Sequence, residues 1–224
     1  MDTAFFIAFA AILAFDGVLM QTLSWAAKSE RFSKYRIRTP STYQIPKTRL
    51  MVNTQLNNVL SLSVLAAFFF YLGDWAMYAG WPGTAHFIGE VLAVLLLYDF
   101  MYYFLHRFMH QPRVLKHVHR IHHYVKFPTA PESIFLHPAE NIAGLGLLVL
   151  AIVILGPIST VSFLTTWFVY STVNIIVHGN LVLPHPAFRL FNFWAEKHDI
   201  HHAKLKYNYA SIFPFWDQAF GTFK

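Results

Sequence analysis

Four long apolar stretches, separated by polar segments, dominate the hydrophobic pattern of this chain. They cover residues 3–25, 56–72, 87–105 and 141–177. A helix needs about 20 predominantly apolar residues to cross a membrane. The fourth stretch is interrupted by Gly156-Pro157 and each half is short for a full crossing, so it predicts a tilted or partly inserted helical hairpin. The pattern therefore predicts an all-α integral membrane protein with about four to five membrane-embedded helices.

The composition agrees with this prediction and argues against several classes of protein. Of the 224 residues, 56% are hydrophobic and 12% are charged, whereas soluble domains contain ~45–50% and ~25%. The high hydrophobic fraction and the low charged fraction argue against a soluble globular enzyme and exclude a disordered chain. The sequence has no cysteine, which removes disulfide scaffolds, thiol catalysis, iron–sulfur clusters and cysteine-bound zinc.

The positive charges are concentrated between the apolar stretches. All 17 lysines and arginines lie in three windows, residues 28–49, 107–126 and 189–224. Basic chains often bind nucleic acid, but the long charge-free gaps argue against such a partner. The positive-inside rule instead predicts that all three windows face the cytoplasm. Counting the crossings from the first window gives the same arrangement, with a histidine-rich helical cap on the cytoplasmic side.

Nine of the 13 histidines form four groups at helical spacing. Two histidines four residues apart follow the third apolar stretch, two H-x-x-H-H motifs come later, and a single histidine lies between those motifs. Residues three or four positions apart share a helix face. The nine are His106, His110, His119, His122, His123, His178, His198, His201 and His202.

Clustered imidazoles indicate a metal site, because imidazole nitrogen binds iron, zinc, copper and nickel. Nine ligands exceed what one ion takes, and two H-x-x-H-H motifs fit two metals. A zinc hydrolase needs a compact triad with an open position, which the sequence does not offer. Two alternatives stay open. A histidine-rich metal transporter would place its polar groups near the bilayer midplane, and a haem-binding membrane protein would need axial histidines on different helices.

Longer motifs occur around these histidines in a fixed order. They are DFMYYFLHRFMH from Asp99, LKHVHRIHH from Leu115, HPAE from His137, HGNLVLP from His178, HDIHH from His198 and NYASIFPFWDQAFGTF from Asn208. From about residue 50 onward the chain resembles the fatty acid hydroxylase / sterol desaturase superfamily of integral-membrane di-iron oxygenases. The resemblance divides the chain into a membrane helix with a basic segment (1–49) and a hydroxylase-like domain (50–224). Ala210 stands where the family often has glycine, which puts a backbone turn in question.

The resemblance implies a reaction and its cofactors. The nine histidines would bind two iron ions, O2 would be the co-substrate, and a lipid such as a sterol, fatty acyl chain or carotenoid would be hydroxylated or desaturated. No electron-transfer domain is fused, so a separate donor resembling cytochrome b5, a ferredoxin or a flavoprotein is expected. The small size and the lack of a dilysine-type tail favour a bacterial inner membrane over the endoplasmic reticulum.

Three residues are candidates for supporting the reaction directly. Asp99 lies seven residues before His106 and Tyr103 seven before His110, so each pair shares a helix face. A metal-bound histidine usually donates its second N–H to a carboxylate or carbonyl group, and Asp99 is the expected acceptor. Asn174 precedes His178 by one helical turn and is expected to touch the site directly or through water, with a helix–helix hydrogen bond as the alternative.

Further candidates lie near the same motifs. Additional carboxylates that could accept from histidines are Glu140, Glu196, Asp199 and Asp217. His137 and His185 each precede a proline and are candidates for metal ligands or for lining the site, whereas His86 and His117 are expected to be incidental. The aromatic C-terminal tail is expected to pack on the histidine cap or at the membrane interface, with a lid as the alternative.

Overall fold

The computed structural model describes residues 1–39 and 45–224, which are predominantly helical. The α-helices are Thr3–Lys28 (α1), Lys47–Tyr71 (α2), Gly73–Ala76 (α3), Thr84–Met109 (α4), Pro112–His117 (α5), Pro138–Leu155 (α6), Thr160–Ile176 (α7), Arg189–Lys204 (α8) and Phe215–Ala219 (α9). Short 3₁₀ segments occupy Glu30–Tyr35, His119–Tyr124, Ala130–Ile134 and Pro186–Phe188. Two-residue strands lie at Met77–Tyr78 (β1) and Ile158–Ser159 (β2). The all-α prediction is confirmed.

The long helices pack in a simple order around α4. Helix α4 contacts both α6 and α7, while α2 covers α6 and α1 covers α7. Strand β1, which precedes α4, pairs in parallel with β2, which separates α6 from α7. This pairing holds the two turns together at the end of the bundle that is opposite the histidines. The fourth apolar stretch is therefore divided at Gly156-Pro157 into two helices, α6 and α7, which both pack on α4; its tilt in the membrane stays a prediction.

Three helices among the described residues are long and apolar enough to cross a membrane: α1, α4 and α6. Helix α7 is apolar but shorter. Many large apolar side chains of these helices remain exposed, including Ile7 and Val18 of α1 and Ile154 of α6. Exposed apolar faces on long apolar helices fit a lipid environment, where polar backbone groups are satisfied within each helix.

Helix α2 begins nine residues earlier than the apolar pattern predicted, at Lys47 instead of Leu56. Its first turns contain asparagines, and their side-chain amides form hydrogen bonds with the segment that precedes α6. The Asn53 and Asn57 side chains donate to the carbonyl oxygen of Leu136 at 2.9 and 3.1 Å. Because buried polar groups are stable only when hydrogen-bonded, these bonds allow a polar first half that a hydrophobicity pattern overlooks.

The N-terminal helix belongs to the same packed core as the later helices. Phe5 and Phe9 of α1 contact Phe163 and Trp167 of α7 in an aromatic cluster. Further along α1, buried Asp16 accepts a hydrogen bond from the Thr172 hydroxyl at 3.2 Å. The division of the chain at residue 49 stays a prediction.

The start of α6 and the end of α8 position residues beside the clustered histidines. Helix α6 begins with Pro138, and the Nδ1 atom of His137 accepts the amide N–H of Ala139 at 3.1 Å. Proline is well suited to a first helical turn, and this start puts Glu140 on the inner side of that turn. Helix α8 ends at Lys204, and the next residue, Leu205, is left-handed with φ of 60°, so the chain turns back across the histidines.

Candidate metal centre

The nine clustered histidines converge at one end of the bundle and form two groups. In each group, one ring nitrogen of every histidine lies within 4.8 Å of the corresponding atoms of the others. The five-histidine cluster contains His106, His110, His119, His123 and His201. The four-histidine cluster contains His122, His178, His198 and His202.

Within the five-histidine cluster the Nε2 atoms follow one another at nearly constant spacing. His119 Nε2 lies 3.2 Å from that of His106 and 3.0 Å from that of His123. His201 Nε2 lies 3.2 Å from those of both His123 and His110. Nitrogens bound at about 2.1 Å to one metal ion lie about 3.0 Å apart when they meet at a right angle. The spacing therefore fits ligands arranged around a common ion.

The four-histidine cluster repeats this geometry. His178 Nε2 lies 3.3 Å from that of His122 and 3.0 Å from that of His198. The Nε2 atoms of His198 and His202 are 3.1 Å apart. This cluster draws its residues from the 3₁₀ segment His119–Tyr124, from the second residue after α7 and from α8.

Each H-x-x-H-H motif contributes to both clusters. His119 and His123 belong to the five-histidine cluster, whereas His122 between them belongs to the other. In α8, His201 joins the five-histidine cluster, and its neighbour His202 joins the four-histidine cluster with His198. The two motifs therefore bridge the clusters instead of each forming a separate site.

Hydrogen bonds at the second ring nitrogen orient four of the histidines. The Nδ1 atoms of His106 and His201 lie 2.7 and 2.8 Å from the carbonyl oxygens of Tyr209 and Tyr207, respectively. His119 Nδ1 lies 2.8 Å from the Glu140 carboxylate. In the four-histidine cluster, His178 Nδ1 lies 3.1 Å from a backbone carbonyl oxygen in α7. Each acceptor requires the proton on Nδ1, which leaves the Nε2 lone pair directed into the cluster.

Burial keeps these imidazoles in the neutral form that binds metals. Desolvation lowers the pKa of His110 and His178 to about 4 and that of His201 to about 3, because it disfavours the charged ring. His106 and His119 both have an acceptor at Nδ1, so their unprotonated Nε2 lone pairs face each other at 3.2 Å. Facing lone pairs repel unless a cation lies between them, so the donor set fits a metal ion at each cluster.

A cavity of about 70 Å³ adjoins both clusters on the side of the long helices. It contacts three members of the four-histidine cluster, His122, His178 and His198, but one member of the five-histidine cluster, His106. Its other lining residues lie mainly on α4, α6 and α7 and are often polar: Tyr98, Tyr102, Ser133, Leu136, Glu140, Asn141, Gly144, Tyr170, Asn174, Val177, Ala210 and Ser211.

The structure places Asp99 away from the expected histidine partner. The buried carboxylate accepts the backbone N–H groups of Ser211, Ile212 and Phe213 at 2.7–2.9 Å. Seven residues correspond to about 10 Å along a helix, which explains why Asp99 does not reach His106 although they share a face. Asp99 therefore fixes the C-terminal segment, and the expected interaction with an imidazole is corrected.

Tyr103 and Asn174 also have partners outside the clusters. The Tyr103 hydroxyl lies 3.1 Å from that of Thr222 and accepts from Arg107 at 3.0 Å. The Asn174 side chain donates to the carbonyl oxygen of Tyr170 and lines the cavity. It is the backbone oxygen of Asn174 that meets His178.

Among the remaining carboxylates, Glu140 is the one bonded to a clustered histidine in the described part of the chain. Asp217 accepts backbone N–H groups near the clusters, Asp199 pairs with Arg38 at 3.2 Å, and Glu196 is exposed. Two histidines act as helix caps: Nδ1 of His137 and of His185 each accept a backbone N–H. His86 and His117 are exposed and lie outside both clusters.

Two features of the site were missed by sequence reasoning. Lys197 is buried, and its ammonium group donates to the carbonyl oxygen of Ala210 at 2.7 Å; a lone charge in a motif carries no signal of burial. The turn questioned at Ala210 does not need glycine, because the residue with positive φ is Asn208.

The aromatic C-terminal tail packs on the protein as expected, with the ring of Phe220 stacked on that of Tyr103 at a centroid distance of 5.0 Å.

Fold and site together define a helical membrane protein with paired polyhistidine clusters at one end of the bundle. A family model described as fatty acid hydroxylase matches residues 91–222. The chain belongs to this family.

Several characterised proteins are similar to the chain. Methylsterol monooxygenase 1 of Rattus norvegicus is 33% identical over 153 residues, which cover 66% of this chain and 50% of that protein. Lathosterol oxidase of the same organism is 31% identical, covering 63% and 47%. A very-long-chain aldehyde decarbonylase of Oryza sativa is 31% identical, covering 86% and 75%. The chain thus spans about half the length of the two sterol-modifying relatives. No solved structure matches.

Proposed function

We propose that this protein is a membrane-bound, O2-dependent oxidoreductase that holds two iron ions and hydroxylates or desaturates a lipid. One observation carries the proposal. Two sets of largely buried imidazoles bring their Nε2 atoms within 3.0–3.3 Å of one another, beside a cavity that lies between the long helices. Five histidines would hold one ion and four the other.

Iron is proposed because the reaction requires redox chemistry. Imidazole sets suit iron, zinc, copper and nickel, but zinc has no redox chemistry. When bound, the two iron ions would supply the two-electron activation of O2 and the abstraction of hydrogen from an unactivated C–H bond.

The chain's own residues hold and orient this centre. Glu140 and the carbonyl oxygens of Tyr207 and Tyr209 accept Nδ1–H groups and so direct three rings of the five-histidine cluster. Tight packing keeps bulk water away from His119 and His201, which are fully buried. The cavity would hold the reacting carbon next to His122, His178 and His198. These residues supply positioning and exclusion of water, which protect an oxidising centre from side reactions.

The lining of the cavity supports a lipid that carries an oxygen function near its reacting carbon. Tyr98, Tyr102 and Tyr170 lie where a plain hydrocarbon chain would call for apolar side chains. The second carboxylate oxygen of Glu140, Oε2, is buried and has no hydrogen-bond partner among the described residues. A buried acceptor of this kind is costly without a donor, and a substrate hydroxyl would provide one. The names of the relatives, a methylsterol monooxygenase, a lathosterol oxidase and an aldehyde decarbonylase, agree with oxygen-bearing lipids.

The alternatives are less well supported by the site geometry. A haem needs free space around its iron for the macrocycle, and here that space is filled by further imidazoles within 4.8 Å. A transporter would bind its ion near the bilayer midplane, whereas the clusters lie at the ends of α4 and α7.

The membrane orientation and the electron source are parts of the same proposal. Arg38 of the first basic window pairs with Asp199 of the third, so the basic windows share the histidine end of the bundle. We assign this end to the cytoplasm from the positive-inside rule. A separate electron donor would approach there, and its kind stays a prediction, as does a bacterial inner membrane over the endoplasmic reticulum.

The test combines metal analysis with lipid analysis. Purified protein should contain about two irons per chain, and membranes of cells that express it should contain an oxygenated or desaturated lipid absent from cells expressing His201→Ala. His86→Ala is the matched control, because His86 is exposed and distant from both clusters. Product formation that persists after all iron is removed would refute the proposal.

A further inference from the structure

The chain segment after α8 runs past the five-histidine cluster and supplies two of its backbone acceptors. Tyr207 contributes the carbonyl oxygen that meets His201 Nδ1 at 2.8 Å, and Tyr209 the one that meets His106 Nδ1 at 2.7 Å. Backbone carbonyls orient an imidazole only if their own peptide planes are fixed. The peptide between Tyr209 and Ala210 must therefore be held by a contact of its own.

Asp217 holds the opposite side of that peptide. Its Oδ2 atom accepts the N–H of Ala210 at 3.0 Å, and its Oδ1 atom accepts the N–H of Tyr209 at 2.7 Å and the hydroxyl of Thr222 at 2.8 Å. The carboxylate is fully buried. In a trans peptide the N–H and C=O groups point in opposite directions, so a carboxylate on the Ala210 N–H directs the Tyr209 oxygen toward His106.

We propose that Asp217 is a positioning residue for His106 and acts on it through the Tyr209–Ala210 peptide. The inference rests on the proposed metal centre. Glu140 binds His119 directly, whereas Asp217 acts on His106 with one peptide group between them. A charged acceptor on the amide N–H also polarises the peptide and strengthens its carbonyl as an acceptor. The five-histidine cluster is thereby supported by two carboxylates, one in contact and one relayed.

The test is Asp217→Asn in the detergent-solubilised full chain, titrated with Co²⁺ and followed by the visible absorption of the bound ion. Asparagine presents an amide NH2 group to one of the two backbone N–H donors, so the peptide loses part of its anchor. Loss of such supporting contacts weakens metal binding about 10–100-fold. We expect this weakening in one of two Co²⁺ binding steps, the same step that His201→Ala removes, with the other step unchanged.

Asp16→Asn is the matched control, because Asp16 is also buried and hydrogen-bonded but lies on α1, where it contacts Thr172. It should leave both steps as in the wild type. Thr222→Val removes one donor to Asp217 and retains the carboxylate, so it should weaken the same step less and serves if Asp217→Asn does not fold.

The outcomes separate this inference from the proposed function. Wild-type affinity at both steps in Asp217→Asn and Thr222→Val, or equal weakening of both steps, would overturn the positioning role. A wild-type chain that binds no Co²⁺ would contradict the metal centre itself and, with it, the inference.

Discussion

The two histidine clusters use the same kind of ligand, but the fold supports them differently. In the five-histidine cluster, His106, His119 and His201 have acceptors at Nδ1. In the four-histidine cluster His178 has one. The Nδ1 atoms of His122 and His202 in that cluster, and of His123 in the five-histidine cluster, are buried without a partner in the described part of the chain.

The clusters also differ in their access to open space. The main cavity contacts three residues of the four-histidine cluster and one of the five-histidine cluster. A second, smaller cavity, beside Asp199 and Asn180, contacts His178, His198 and His202 and no member of the other cluster. The five-histidine cluster therefore has more acceptors at Nδ1, and the four-histidine cluster adjoins more of the enclosed space, whereas His110 and His123 of the five-histidine cluster are half-buried. This contrast can be tested by removing ligands, by filling the cavity and by weakening the supports.

The largest effect is expected from removing one ligand of each cluster. His201→Ala and His202→Ala should each reduce product formation by more than about 100-fold, because loss of a ligand should exceed the 10–100-fold effect of losing a supporting contact. Each variant should also lose about one metal ion per chain while still inserting into the membrane. Metal analysis and lipid mass spectrometry would check both effects.

These two variants also test the comparison between the clusters. The two residues are neighbours in α8 but belong to different clusters, so their Co²⁺ titrations should lose different steps. Full activity in His201→Ala would show that the site is wrongly assigned, and loss of the same step in both would show that the clusters are not separate.

Filling the cavity should reduce activity without disturbing the metal ions. Gly144 lines the cavity, and its nearest neighbour is the ring of Tyr102 at 3.8 Å from a Cβ added there. Gly144→Leu should displace the reacting part of the substrate, and displacement by about 1 Å can lower a rate about 100-fold. Metal content should stay at the wild-type value. The measurement is product yield together with metal content.

Gly146→Leu on the same helix is the control for this substitution. A Cβ at Gly146 would meet nothing within 4 Å, and the residue does not line the cavity. It should keep nearly full activity. Equal loss of activity in both variants would mean that the cavity is not where the substrate reacts.

A smaller effect is expected at the support of the five-histidine cluster. Glu140→Gln retains an oxygen that can accept from His119 Nδ1 but removes the negative charge. Hydrogen bonds with a charged partner are roughly twice as strong as neutral ones, so Co²⁺ affinity at the five-histidine cluster should fall about tenfold, near the lower end for such contacts. Asn174→Leu, which is of similar size and introduces no charge beside the cavity, is the comparison at the four-histidine cluster. The Asn174 backbone oxygen, not its side chain, meets His178, so this variant should leave Co²⁺ affinity unchanged.

The sequence was sufficient to predict which histidines cluster, but not how they are shared. Helical spacing groups His119, His122 and His123. Their division between two clusters depends on the 3₁₀ conformation of His119–Tyr124 and on α8, and α8 lies far away in the sequence. The same limit applies to Asp99. Its helix face was predicted correctly, but its partners are amides more than 100 residues later, and no local pattern indicates such a contact.

The smallest expected effect is the response of the metal-free protein to acid. The pKa values of His178 and His201 are about 4 and about 3 in the folded chain, both lowered chiefly by burial, against 6.5 when unperturbed. Between these values the unfolded chain binds more protons than the folded one, so stability is complete above about pH 6.5 and falls as the pH decreases. For one histidine the slope is at most about 1.4 kcal/mol per pH unit.

The two histidines should be distinguishable by where this slope ends. His178→Ala should reduce the pH dependence of unfolding between about pH 6.5 and 4, and His201→Ala should also reduce it between about pH 4 and 3, because a histidine keeps contributing until it is protonated in the folded state. Denaturant unfolding of the solubilised apoprotein at a series of pH values would measure the difference. If neither variant changes the slope, the histidines are not held neutral by burial. Without neutral imidazoles, the facing lone pairs that distinguish both clusters as metal sites would not exist.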